Sequence, residues 1–127
     1  MFSHVMLGAN DIAASKTFYD AALGALGIAP GRIDPKGRAI YVHDGGVFML
    51  TKPINGEPAC HANGGTLGFA AANTDAVDAW HAAGAAHGGT PCENPPGWRE
   101  GTFGKLYLAY LRDPAGNKLC AMYRAAA

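Results

Sequence analysis

The pentapeptide Asp113-Pro114-Ala115-Gly116-Asn117, set between two apolar-rich segments of strand length, constrains this chain more than any other stretch. Proline pre-sets φ for a turn and glycine supplies a left-handed residue, while Asp113 and Asn117 can bond the local backbone. The spacing predicts a hairpin over residues 105–124, built on a type I turn closed by a bulge at Gly116. With Asp113 opposite Asn117, the register pairs Tyr110 with Cys120 and Leu108 with Met122. Strand side chains alternate, so these four share one face of the sheet.

Upstream, residues 2–8 predict a first strand with Phe2, His4 and Met6 on one face. A helix over residues 11–26 follows, capped by Asn10 or Asp11, with a buried stripe through Ile12, Ser15, Phe18 or Tyr19, Ala22 and Leu26. Three short strands come next, at residues 27–33, 38–43 and 46–52, divided by the turn signals Asp34-Pro35-Lys36-Gly37 and Asp44-Gly45-Gly46. Residues 53–65 are rich in Pro, Asn and Gly and read as a linker. A strand at 66–71, a helix at 74–87, a short strand at 89–92 and the final hairpin then repeat the same order. Residues 93–102, with two prolines, two glycines and the Trp98-Arg99-Glu100 triplet, read as a loop. A shift of 62 residues carries Phe18 onto Trp80 and His4 onto Thr66, so residues 1–52 and 66–124 form an internal repeat of one β-α-β-β-β unit. The expected fold class is α+β. A single domain over residues 1–127 holds two βαβββ modules whose curved sheets enclose a concave cavity.

Composition narrows the partners. Ten basic and ten acidic side chains cancel, with no basic stripe for nucleic acid. No apolar run reaches the roughly 20 residues that span a bilayer, and the N-terminus lacks a signal-peptide pattern. Cys60, Cys92 and Cys120 are odd in number and form no CxxC pair. The expectation is a reduced, cytoplasmic protein with no membrane or nucleic-acid partner.

With its Phe2-Ser3-His4-Val5 strand, Asn10-Asp11…Phe18-Tyr19 helix, internal repeat and Arg112-Asp113-Pro114-Ala115-Gly116-Asn117-Lys118-Leu119 turn, the chain resembles the vicinal-oxygen-chelate superfamily. That superfamily includes glyoxalase I, bleomycin-resistance proteins and extradiol dioxygenases. The resemblance implies a small-molecule ligand in the cavity, a homodimer, and in the enzymes one divalent metal held by His, Glu or Gln from the first and last strand of each half. Carried over position by position, those sites are His4, Met49, Thr66 and Cys120. Only His4 is a standard ligand, and Cys120 binds zinc only as a thiolate. The expectation is therefore no bound metal, with zinc as the disfavoured exception.

His4 and Cys120 are the candidate catalytic pair, thiol and base, against the plainer reading of a hydrogen-bonded histidine and a small buried hydrophobe. Phe48, Met49, Thr66, Trp98, Arg99 and Tyr110 are the candidate ligand contacts. Two functions follow from the resemblance. One is a glyoxalase-like lyase or isomerase working beside a carbonyl. The other is a metal-free, resistance-type protein that sequesters a small molecule without catalysis.

Overall fold

The computed structural model of the chain describes residues 1–125. The first module is β1 (Val5–Gly8), α1 (Ile12–Gly24), β2 (Arg32–Ile33), β3 (Ala39–His43) and β4 (Gly46–Thr51). The second is β5 (Leu67–Ala70), α2 (Thr74–Ala86), β6 (Thr90–Gly101), β7 (Gly104–Arg112) and β8 (Lys118–Arg124). Each forms its own four-stranded sheet, in the order β1-β4-β3-β2 and β5-β8-β7-β6. In both, the last strand lies parallel to the first and antiparallel to the third. The two βαβββ modules of the sequence repeat are thus present with matching topology.

Asp11, one of the two caps expected for α1, and Asn73 at the start of α2 cap the helices. Asp11 accepts a hydrogen bond from the Ala14 amide and Asn73 one from the Ala76 amide, so each side chain satisfies an amide that the first turn leaves unpaired. The inward stripes of α1 (Phe18, Tyr19, Ala22, Leu23) and α2 (Val77, Trp80) meet one face of each sheet. Ala39, Tyr41, Phe48 and Leu50 supply that face in the first module, and Ala109, Leu111, Leu119 and Ala121 in the second. All belong to one core that joins the modules. Each fully buried leucine in it contributes roughly 1.5–3 kcal/mol of transfer free energy. Close approach of the helices depends on Gly84, where a Cβ would lie 2.4 Å from Leu111 Cδ1 and 3.0 Å from Phe18 Cε1.

Three expectations need correction. First, β1 begins at Val5, which leaves an exposed Phe2 and His4 ahead of the strand. Second, the strand expected over residues 27–33 is only two residues long, because Leu26, Gly27 and Ile28 still bond back into the C-terminal turn of α1. Third, residues 93–102 are not an open loop. β6 runs through them to Gly101, and its pairing with β7 breaks only between Cys92 and Gly97. Pro95 and Pro96 have no amide to donate to a ladder, so the break falls there as a bulge. Beyond it Trp98, Arg99 and Glu100 resume pairing with Tyr107, Leu106 and Lys105.

Candidate functional site on the second sheet

The second sheet turns one face to α2 and the core. On the other face β7 and β8 place Leu106, Leu108, Tyr110, Cys120 and Met122, which pack as a second, smaller apolar cluster. The register matches the sequence expectation: Tyr110 is opposite Cys120 and Leu108 opposite Met122. Edge strand β6 adds Cys92 opposite Tyr110 and Arg99 opposite Leu106, so both side chains join this face.

Polar groups ring that apolar floor. Lys118 at the start of β8 pairs with Glu93 in the β6 bulge, and its ammonium lies 4.9 Å from the centre of the Tyr110 ring. The Arg99 guanidinium donates to the carbonyl of Pro95 at 3.0 Å and, at 3.4 Å, to those of Asn94 and Trp98. Arg99 thus bonds backbone, whereas Lys118 has a carboxylate. The Cys120 thiol is pushed up to about 11, chiefly by burial and next by the Glu93 carboxylate, against smaller opposing effects of Tyr110, the Ala109 backbone and Lys118. Burial likewise raises the Tyr110 phenol, helped by Cys120 and Glu93 and opposed by Lys118 and Arg99. At neutral pH the floor therefore carries a neutral thiol and a neutral phenol. A protonated thiol is a poor nucleophile, and Cys120 Sγ meets the carbonyl of Ala121 at 3.6 Å.

The structure divides the residues expected to act together. Met49 pairs with Met6 and Ile40 and shares the corresponding face of the first sheet, away from the core. His4 lies just ahead of β1, exposed, with Nδ1 2.8 Å from Ser3 Oγ. Thr66 is in the same position ahead of β5 and is also exposed. Phe48 is a core residue, with ring centroids 4.9 Å from Tyr19 and 5.6 Å from Phe69. Trp98 packs on Tyr107 and Tyr123, on the α2 side of its sheet. The physical reason is the period of two: Phe48 and Met49 are neighbours in one strand, and so are Trp98 and Arg99, so one member of each couple must face away.

The metal-ligand positions His4, Met49, Thr66 and Cys120 offer one imidazole, one thioether, one hydroxyl and a protonated thiol. Among the described residues no three His, Cys, Asp or Glu side chains converge as a metal site would require. This donor set does not fit the divalent ion that the resemblance implies. Residues missed by sequence reasoning are Glu93, Lys118 and Cys92. The alternation of β8 could have found Lys118, two residues before Cys120, whereas Glu93 reaches the site only through the bulge.

An apolar cavity of about 360 Å³ lies elsewhere, between Val5, Phe48, Leu67 and Phe69 and the β3–β4 turn. Val5, Leu7, Leu67 and Asn117 line a smaller one of about 210 Å³. Edge strands β1 and β5 thus border both, which makes these gaps the seam between the modules and not the polar-rimmed face.

No helix among the described residues is long and apolar enough to cross a membrane. A sequence model of the Glyoxalase/Bleomycin resistance protein/Dioxygenase superfamily matches residues 1–121. Among solved structures, a glyoxalase/bleomycin resistance protein from Albidiferax ferrireducens T118 is 61% identical, over 98% of this chain and 99% of that one, with a TM-score of 0.95. A glyoxalase-related enzyme from Fulvimarina pelagi (20% identity, 98% and 88% covered, TM-score 0.74) and a lactoylglutathione lyase from Agrobacterium tumefaciens (22%, 97% and 92%, 0.66) share the fold. A search of curated proteins finds no match. The matched topology, the repeat and the family model agree: the chain belongs to the Glyoxalase/Bleomycin resistance protein/Dioxygenase superfamily.

Proposed function

We propose that this protein binds a small organic molecule on the Leu106–Leu108–Tyr110–Cys120–Met122 face and does so without a resident metal. The observation that carries this reading is the chemistry of that face: a neutral thiol and phenol on an apolar floor, which one Lys118–Glu93 ion pair crosses at its Tyr110 end. Burial and hydrogen bonding suit such a surface to holding a molecule. Lyase or isomerase chemistry beside a carbonyl would need a base or a metal-polarised oxygen at the reacting atom; of the aligned positions only His4 is a base, and it lies exposed ahead of β1 beside Ser3. The sequestering function is therefore preferred to the catalytic one, in a cytoplasmic protein.

A second copy of the chain completes the proposal. On the first sheet Met6, Ile40, Val42 and Met49 share the face away from the helices, with Val42 54% exposed and Met6 37%. A partner would cover these side chains in a homodimer burying roughly 1,200 Å² or more in total.

Two measurements test the reading. Elemental analysis of protein purified without chelator or metal-affinity resin should find no stoichiometric divalent metal. A small-molecule thermal-shift screen should yield compounds that raise the melting temperature and perturb Tyr110 and Cys120 resonances, because a ligand specific to the native state must stabilise it. Near-stoichiometric metal, or ligands that perturb only other surfaces, would overturn it. Sedimentation that shows only monomer at high micromolar concentration would remove the dimer.

A further inference from the structure

We infer that the face of the second sheet is selective for an organic anion, a carboxylate on a flat apolar body, and that Glu93 is an internal competitor for it. The inference rests on the binding role proposed above and adds the charge of the ligand and a residue that regulates access.

Three observations carry it. The first is charge. Arg99, Lys118 and Glu93 surround the Tyr110–Cys120 couple, two cations against one carboxylate, and Arg99 makes its hydrogen bonds to backbone carbonyls. The face is thus net cationic even with its own acid in place. The second is what that acid does. Glu93 comes from edge strand β6 and bonds Lys118 on β8, two strands away, so the pair crosses above Tyr110 on the intervening β7. A carboxylate already sits where an incoming carboxylate would be held. The third is how Glu93 gets there. Its φ is 58°, a left-handed conformation that costs a non-glycine residue energy, and it follows directly on Cys92, where pairing of β6 breaks. Bulges re-aim side chains in this way. Glu93 is 45% exposed, so its side chain can turn to solvent and the latch can open without disturbing the core.

The chemistry of recognition follows. The flat body lies on Leu106, Leu108, Tyr110 and Met122, and its carboxylate takes Lys118 from Glu93 with Arg99 in support. A neutral analogue gains only the apolar contact. A cation is repelled by the two basic groups.

The test uses three probes of nearly one shape, benzoate, benzamide and benzylammonium, titrated into the full chain and its variants with binding followed by nuclear magnetic resonance. Benzoate should perturb Tyr110, Lys118 and Cys120 and bind about tenfold more tightly than benzamide, with benzylammonium weakest. Lys118→Met should remove most of that preference, bringing the benzoate-to-benzamide affinity ratio close to one. Glu93→Gln should move benzoate the other way, to about threefold tighter binding, because a competitor for Lys118 is gone. That opposite sign separates competition from general damage to the site. Each variant's thermal melt verifies that it is folded. If all three probes bind this face equally, or Glu93→Gln weakens benzoate, anion selectivity is wrong while the binding role stands. If no probe perturbs the face at millimolar concentration, both fail.

Discussion

The Tyr19 phenol donates a 2.5 Å hydrogen bond to Asp113 Oδ2, joining the first helix to a turn 94 residues later. Asp113 is 4% exposed, and its other carboxylate oxygen accepts the amides of Ala115 and Asn117 at 3.0 and 2.9 Å. Asn117 Nδ2 reaches both Asp113 Oδ2 at 2.9 Å and the carbonyl of Gly8 at 3.0 Å. The turn that organises the C-terminal hairpin is therefore also the clamp between modules. Tyr19→Phe keeps the ring and leaves a buried carboxylate one donor short, which should cost about 1–3 kcal/mol. Urea unfolding should show a lower midpoint with an unchanged slope.

Gly84→Ala tests whether packing or helix propensity decides at the contact between the helices. Propensity alone would favour alanine by about 1 kcal/mol. The new methyl would lie 2.4 Å from Leu111 Cδ1, against a core with little room to yield. Overpacking should win, with a net loss of about 1–3 kcal/mol. A rise in melting temperature would show that the modules can slide apart at that point.

Alkaline pH should destabilise the protein in a definite order. The Cys120 thiol, held near 11 in the fold, ionises earlier in the unfolded chain, so its contribution is intact below about pH 9 and falls as pH climbs toward 11. The Tyr19 phenol, raised first by burial and then by Asp113, acts in the same sense at higher pH. Denaturant midpoints measured from pH 7 to 11 should decline, and Cys120→Ser should flatten the earlier part of the decline. Alkylation at pH 7.5 followed by mass spectrometry should label exposed Cys60 well ahead of Cys120.

Cys120→Glu places a carboxylate at the last-strand position that the resemblance aligns with a metal ligand. With His4 exposed ahead of its strand, and Met49 and Thr66 unchanged, the substitution should still give no tight metal site, only weak zinc binding visible by titration. Stoichiometric uptake would show that His4 is already positioned as a ligand.

Local chemistry explains which parts of this structure were legible in the sequence. The Asp113–Asn117 turn and the Tyr110–Cys120 register are set by residues close together in the chain, and the structure has them as read; of the two caps offered for α1 it takes Asp11. The strand path of β6 was not legible, because Pro95, Pro96 and Gly97 carry the composition of a loop while cross-strand pairing beyond them wins. Glu93 was missed for a related reason: its side chain is aimed by a backbone kink, and no periodicity encodes a kink. Phe48 and Trp98 were grouped with the site by residue type, where alternation should have divided them from Met49 and Arg99.

The order β5-β8-β7-β6 puts the last strand of the second module, Lys118–Arg124, inside its sheet and not at the margin. During synthesis the first module has every strand it needs once Thr51 has emerged, whereas β5, made soon afterwards, has no neighbour until Lys118–Arg124 arrives. The nascent second module can close its β6–β7 pair early, but β5 stays unpaired until the seven residues of β8 arrive. A ribosome that stalls or a protease that cuts at Asn117 does not shorten the protein; it leaves β5 with no strand to pair with.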